Sequence, residues 1–248
     1  MAKVLSQDNS FQTSDASVSK TKFAKSSKEF EHQGNYYCVI DNIGFGDAKV
    51  NDKQILIRIG EAINSAYQGL SQVLFVFDGR FSDKEKEGLR KLTALKVADH
   101  YVTLVRSKFA NFENKTAREN DRNKMEQESP AISELINNCR GLLHLNNEDE
   151  DSQVESRALI LNHLHNNCPI VFKPKEWENI TTLIEAYFEE KKGLEEQKEQ
   201  ATSENKGTID QRIDELESAT AEKVKKEIQS KEMEEFVQLI EVGAKGIK

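Results

Sequence analysis

The strongest constraint on the fold is a set of short apolar runs separated by segments in which apolar residues recur at helical spacing. The runs are Tyr36–Ile40, Val73–Phe77, Tyr101–Val105 and Gly141–Leu145. Continuous apolar runs of this length are typical of strands that are covered on both faces. Strands that alternate with helices predict an α/β fold, with a mostly parallel sheet and helices on both faces.

The helical segments are identified by the spacing of their apolar residues and by the signals at their starts. We expect helices over Gln54–Leu70, Ser82–Ala98, Glu113–Asn138 and Ser152–Asn166. The second of these begins with Ser82 and has Glu85 three residues later, which is the spacing of a capping box. Before the first apolar run, Glu29–His32 is expected to form an edge strand that turns back at Gln33–Gly34.

The composition changes after Pro169 and Pro174, and residues 171–248 are predicted to form a charged helical tail. The apolar residues of the tail indicate two helices with a break near Thr202–Gly207. These helices either pack on the domain or on each other, as in a helical hairpin, or form a dimerising coiled coil, although the heptads are not sustained. The predicted domains are therefore residues 1–170 and residues 171–248.

Composition restricts the classes of partner and the compartment. The formal net charge is −8, which argues against non-specific binding to nucleic acid or to anionic membranes. The sequence has no apolar run of 18 residues, so no transmembrane helix is expected. Its first twenty residues are polar and do not resemble a signal peptide. The three cysteines are not at metal-ligand spacing, and we interpret them as reduced thiols of a cytoplasmic protein.

The motif that carries chemistry is the end of the first apolar run, Val39-Ile40-Asp41-Asn42-Ile43-Gly44. In phosphate-transfer proteins, a carboxylate at the end of a strand holds Mg²⁺ through water. A following glycine offers its backbone N–H to the γ-phosphate, and this loop moves on hydrolysis. Glycine suits that position because a Cβ blocks the close approach. Asp41 and Gly44 have this spacing.

A second stretch, Val73-Leu74-Phe75-Val76-Phe77-Asp78-Gly79-Arg80-Phe81-Ser82, resembles a signature of the AIG-type (immune-associated nucleotide-binding) GTPases. In that family a strand enters a Gly-Arg-Phe-Thr-like turn that is followed by an acidic helix. The resemblance covers about residues 1–170. It implies a P-loop GTPase-like sheet, a bound GTP or GDP, and Mg²⁺.

The resemblance assigns the nucleotide-binding residues position by position. Asp41 matches the carboxylate associated with Mg²⁺, and Gly44 matches the γ-phosphate glycine. Ser19 matches the residue of the switch loop that ligates Mg²⁺, with Thr21 as the alternative. The implied metal ligands are therefore Ser19 and Asp41.

On the base side, the resemblance assigns Lys108 to the plane of the base and Asn147 to a base-contacting amide. The carboxylate that reads guanine in GTPases is replaced here by Ala110. Arg106 or Glu113 are further candidates on this side. Guanine specificity is therefore an open question at the level of the sequence.

The phosphate-binding loop of the family is missing from the sequence, because Gly-x-x-x-x-Gly-Lys-Ser/Thr occurs nowhere in it. Residues Ala2–Ser6 resemble the end of the helix that follows this loop. Two histories fit: a gene model that starts at an internal Met, or a degenerate paralogue. The fold is expected to lack the first strand of the family, which lies centrally, so two inner strands must expose their edges or pair in a new way.

Two functions follow from these observations, and neither assigns a catalytic residue. The first is a GTP-binding switch protein. The second is a non-catalytic pseudo-G-domain that assembles with intact relatives as a homo- or hetero-oligomer. An unrelated α/β enzyme is disfavoured because the five histidines are not arranged with a nucleophile.

Overall fold

The computed structural model describes residues 1–11, 25–41, 52–78 and 98–245. The expected helix Ser82–Ala98 lies outside these ranges except for its last residue. The described residues belong to two compact units. The sheet unit takes its residues from Met1–Gly46, Leu70–Phe172 and Glu235–Lys248, and the helical unit takes its residues from Asp47–Gly69 and Lys173–Glu234.

The elements follow one another in a largely alternating order. In chain order they are α1 (Ala2–Ser6), β1 (Lys25–Ser26), β2 (Phe30–His32), β3 (Asn35–Tyr37), β4 (Ile40–Asp41), α2 (Asp52–Ser65), β5 (Val73–Asp78), α3 (Ala98–Tyr101), β6 (Val102–Ser107), α4 (Lys115–Glu128), α5 (Pro130–Asn138), β7 (Gly141–His144), α6 (Glu150–Asn167), α7 (Glu176–Gln200), α8 (Ser203–Glu227) and α9 (Lys231–Lys245).

The centre of the sheet unit is a parallel sheet of three strands in the order β5-β6-β7. Val73 pairs with Val102, and Thr103 pairs with Gly141. Successive residues of β6 enter different cores: Leu104 packs with residues of α4 and α5, whereas Val105 packs with residues of α6 and α1. Both faces of the sheet are therefore covered by helices, which explains the continuous apolar runs and confirms the α/β prediction.

The turn at Gln33–Gly34 is confirmed, but the strand before it belongs to a separate two-stranded sheet and not to an edge of the parallel sheet. Strands β2 and β3 form an antiparallel hairpin in which Phe30 pairs with Tyr37. The two turn residues, Gln33 and Gly34, have φ angles of 51° and 82°. Two consecutive positive φ angles are typical of the turn that joins a tight hairpin, and glycine adopts such an angle without a steric penalty.

The first apolar run does not enter the parallel sheet, and the prediction of one strand over Tyr36–Ile40 is wrong. The run is divided between β3 and β4, and β4 pairs antiparallel with β1. At the division, the Ser27 N–H donates to the Val39 carbonyl (2.8 Å) and the Ser27 Oγ accepts from the Val39 N–H (2.9 Å). Within the described residues, β5 has a strand partner only on its β6 side. The strand that ends at Asp41 therefore belongs to a separate two-stranded sheet.

Two helix predictions need correction. The segment Glu113–Asn138 is not one helix, because α4 ends at Glu128 and α5 begins at Pro130. Proline disfavours a helical conformation in the preceding residue and lacks an N–H, and Ser129 is accordingly extended, with φ at −157°. The tail, as far as Lys245, contains three helices rather than two, since α8 ends at Glu227 and α9 follows.

The helical unit is built by α2, α7 and α8, which pack against one another. Its core includes Ile57 of α2, Tyr187 of α7 and Ala221 of α8. Trp177 is completely buried, and its indole N–H donates to the Ala66 carbonyl at 2.7 Å. The tail helices of this unit therefore share their core with a helix from the first half of the chain.

The helical unit also contains a buried carboxyl group. Glu61 of α2 is only 8% exposed. Burial raises the pKa of Glu61, Lys191 and Arg58 oppose this effect, and Glu217 adds to it. Lys191 donates to Glu217 Oε1 and to the Tyr187 hydroxyl, at 2.9 Å in both cases. These groups form a polar cluster inside the bundle.

None of the helices, as far as the chain is described, is long and apolar enough to cross a membrane.

Candidate functional site

The carboxyl ends of the three parallel strands meet at one edge of the sheet. Strand β5 ends at Asp78, β6 ends at Ser107 and is followed by Lys108, and β7 is followed by Leu145–Asn147. In open α/β sheets, ligands bind in the crevice outside the carboxyl ends of the strands. A ligand-binding site is therefore expected at this edge of the sheet.

Lys108 occupies an unusual position at this edge. Its φ angle is 52°, in the left-handed region that residues other than glycine rarely adopt. Such conformations cluster at functional sites, where the surrounding structure holds them in place. The Lys108 Nζ donates to Asp78 Oδ2 at 2.6 Å, and both side chains are about half exposed. The hydrogen bond from this ammonium to Asp78, together with the negative charge of Asp78, raises the pKa of Lys108.

The turn after β6 is fixed by backbone hydrogen bonds to the neighbouring segment. The Phe109 N–H donates to the Leu145 carbonyl at 2.9 Å, and the Leu145 N–H donates to the Arg106 carbonyl at 2.8 Å. These hydrogen bonds join backbone atoms and do not depend on the side chains of the turn. They fix Arg106 before Lys108 and Phe109 after it, and so hold the conformation of Lys108.

Arg106 does not reach the open side of the edge. Its side chain is 15% exposed, and its Nε lies 3.9 Å from Asp121 Oδ2. Its Nη1 donates a hydrogen bond to the Ser107 carbonyl at 2.7 Å. Asp121 also contacts His144 Nε2 at 3.0 Å. Burial lowers the pKa of His144, against the opposing effect of Asp121. Arg106 is thus part of an internal network that joins β6, β7 and α4.

The two asparagines after β7 have different surroundings. Asn146 is buried, and its side chain makes hydrogen bonds with Asp149, Ser152 and the backbone N–H of Glu148. Asn147 is half-buried, and its Oδ1 is inaccessible and has no hydrogen-bond partner within the described part of the chain. A buried acceptor without a partner costs about 1–3 kcal/mol. The hydrogen bonds of Asn146 therefore hold the loop in its conformation, whereas the Oδ1 of Asn147 accepts no hydrogen bond within the described residues.

The structure brings some of the predicted site residues together. Lys108 and Asn147 follow the neighbouring strands β6 and β7. Asp41 lies on the separate β1–β4 pair, near the start of α1: burial lowers the pKa of the Met1 amino group, and the charge of Asp41 opposes this. The predictions for Ser19, Thr21 and Gly44 lie outside the described residues.

The base-side candidates Ala110 and Glu113 are both exposed. Glu113 is hydrogen-bonded to the carboxyl group of Glu155 on α6. It therefore faces the start of α6.

The implied Mg²⁺ can be tested only at Asp41, since the other expected ligand, Ser19, is not described. The described residues contain no group of three or more His, Cys, Asp or Glu side chains arranged to hold a metal ion. Mg²⁺ at Ser19 and Asp41 therefore stays a prediction.

Sequence reasoning missed Asp78, which it used only to recognise the turn after β5. The available signal was the position of this carboxylate, directly after an apolar run whose carboxyl end lies beside that of the next parallel strand. Its pairing with Lys108 could not be read from the sequence, because it depends on the left-handed conformation of that residue.

The sequence matches no protein-family model, and it matches no curated protein. The resemblance to AIG-type GTPases therefore depends on the short motifs alone.

Proposed function

We propose that the sheet unit binds a guanine nucleotide, with the base at the carboxyl edge of β5, β6 and β7. The observation that carries the proposal is the buried, unpartnered Oδ1 of Asn147, in the segment that is hydrogen-bonded to the turn of the left-handed Lys108. A rotation of the Asn147 side chain that brings this oxygen to the surface would let an N–H donor of a bound base satisfy it. The aliphatic part of the Lys108 side chain, released from Asp78, would cover the plane of the base.

The affinity expected from this site is low. The sequence contains no Gly-Lys-Ser/Thr loop, whose backbone N–H groups and lysine supply most β- and γ-phosphate contacts in GTPases. Ala110 also stands where those proteins have the carboxylate that accepts two hydrogen bonds from guanine. The proposed switch would depend on GTP and Mg²⁺, with Ser19 and Asp41 as the residues that hold the metal ion and so neutralise phosphate charge.

The test restores the missing carboxylate with Ala110→Asp. Hydrogen bonds to a charged acceptor contribute about 1.5–3 kcal/mol each, so we expect mant-GDP to bind at least tenfold more tightly, with mant-ADP unchanged. Asn111→Asp is the matched control, because it adds the same charge at the next exposed position of the same turn. Fluorescence titration of purified protein gives the dissociation constants.

Two further outcomes decide the proposal. In the Ala110→Asp background, Asn147→Ala should weaken the binding of mant-GDP again. Equal binding by the Ala110→Asp and Asn111→Asp variants, or no guanine preference in either, contradicts a base site at this edge.

A second function, the non-catalytic module that assembles with relatives, is favoured by one observation. The Lys108 ammonium is already paired with Asp78, and the Asn146 amide is already used inside the loop, so two polar groups of this edge are occupied internally. This function predicts no nucleotide binding by any variant, together with a mass that rises with protein concentration in light scattering.

A further inference from the structure

Helix α6 has apolar residues on two opposite faces. One face packs into the core of the sheet unit through Ile160, Leu161 and Leu164, which are buried. The opposite face is exposed and is called the outer face of α6. It consists of Asp151, Val154, Glu155, Ala158, Leu159 and Asn162.

The outer face is a broad strip that covers about 140° of the helix, at about 100° per residue. Val154 is 67% exposed and Leu159 is 41% exposed. Being five residues apart, they lie at the two edges of this face, and Asp151, Glu155 and Ala158 lie between them. A helix that packs along this face would therefore meet an apolar side chain at each edge and carboxylates in the middle.

The charged side chains of the outer face have one sign. Asp151 and Glu155 belong to the outer face, and Glu148, Asp149 and Glu150 precede it in the same acidic segment. Glu113, from the turn before α4, reaches the same place. The pKa of Glu155 is raised by its hydrogen bond with Glu113 and by repulsion from the charges of Glu113, Asp151 and Asp149. Positive charge brought next to these carboxylates would relieve this repulsion.

We infer that the outer face of α6 binds a basic amphipathic helix of another protein. Its apolar side chains cover Val154 and Leu159, and its Lys or Arg side chains face the surrounding carboxylates. A second copy of the same face fits less well, because it brings the same carboxylates together, and like charges across an interface are unfavourable. The inference does not depend on nucleotide binding.

The probe for the experiment is a fluorescein-labelled synthetic amphipathic helix made of leucine and lysine, titrated with the full chain and followed by fluorescence anisotropy. Val154→Ser with Leu159→Ser removes the apolar contacts and leaves the charge unchanged. Asp151→Asn with Glu155→Gln removes the charge and leaves the apolar contacts. Each pair is expected to weaken binding about tenfold or more, and salt at about 0.5 M should weaken binding to the wild-type chain because it screens the charges.

The control variant separates this face from the general acidity of the chain. Glu195→Gln with Glu199→Gln removes two exposed carboxylates that are also four residues apart, on α7, and it should leave binding unchanged. The altered side chains of all three variants are exposed, and circular dichroism verifies that each variant folds. A leucine–glutamate version of the probe should not bind.

Three outcomes overturn the inference. The first is that the wild-type chain does not bind the probe. The second is that both α6 variants bind as tightly as the wild-type chain, or that the α7 control loses as much affinity as they do. The third is a dimer in light scattering that the Val154→Ser/Leu159→Ser variant abolishes, because the occupant of the face is then a second copy.

Discussion

Gly60 offers a direct measure of how closely the helices of the helical unit pack. It lies inside α2, and a Cβ built on it is 2.5 Å from Ile184 Cδ1 and 2.8 Å from Ile184 Cγ1. Carbon atoms in contact need about 3.5–4.0 Å, and Ile184 is fully buried. The Gly60→Ala substitution must therefore push α2 and α7 apart or force Ile184 out of its rotamer.

Two opposing contributions set the size of the effect. Overpacking of a core costs about 1–3 kcal/mol, whereas alanine is more favourable than glycine inside a helix by about 1 kcal/mol. We expect Gly60→Ala to lower the free energy of unfolding by up to about 2 kcal/mol. Gly193→Ala in α7 and Gly207→Ala in α8 are the matched controls. A Cβ at either position meets no atom within 4 Å, so these variants should gain about 1 kcal/mol.

The assay is urea unfolding followed by tryptophan fluorescence. Trp177 is the single tryptophan of the chain, and it is buried in the same unit as Gly60. Ile184→Val removes the atom nearest to the new Cβ. Alone it should cost about 0.5–1.5 kcal/mol, but in the Gly60→Ala background it should recover part of the lost stability, because only the atom corresponding to Cγ1, at 2.8 Å, still lies too close. If Gly60→Ala stabilises the protein as much as Gly193→Ala, the close approach of α2 and α7 is refuted.

Two more perturbations follow from the polar groups of the structure. Burial raises the pKa of Glu61 above its usual 4.5, so the native state loses stability as the pH rises from this value through the higher pKa of the folded protein. Glu61→Gln should therefore be increasingly more stable than the wild type as the pH is raised from 4 to 7; a pH-independent difference in urea midpoints contradicts this. Asn114 caps α4 by accepting from the Ala117 N–H at 3.1 Å, so Asn114→Ala should cost about 1 kcal/mol. Asn114→Asp keeps an acceptor and should cost less in urea unfolding followed by circular dichroism, and equal losses would argue against the cap.

The parallel sheet could be predicted because side chains on both faces of its strands pack against helices, which leaves continuous apolar runs in the sequence. The same pattern misled the assignment of Tyr36–Ile40. There the backbone of Val39, in the middle of the run, is bonded to Ser27, 12 residues earlier in the chain, and the run is divided between two strands with different partners. A run of apolar residues in the sequence does not indicate which other strand its backbone will pair with.

The candidate site was predictable only in part, and for a related reason. Lys108 and Asn147 could be located because each follows a predicted strand, and parallel strands bring their carboxyl ends to one edge. The hydrogen bond from Lys108 to Asp78 and the unpartnered oxygen of Asn147 depend on loop conformations. Local sequence does not specify them.

The helical unit is made of two stretches of chain that are far apart in the sequence, and this has a consequence for synthesis on the ribosome. Helix α2 is complete at Ser65, but its packing partners begin only at Glu176 and Ser203. At about 5–20 residues per second, its apolar residues, such as Ile57, emerge well before the helices that bury them. We expect nascent chains that stop short of α7 to be recognised by chaperones through α2, and the full chain to escape this recognition only after α8 has left the exit tunnel.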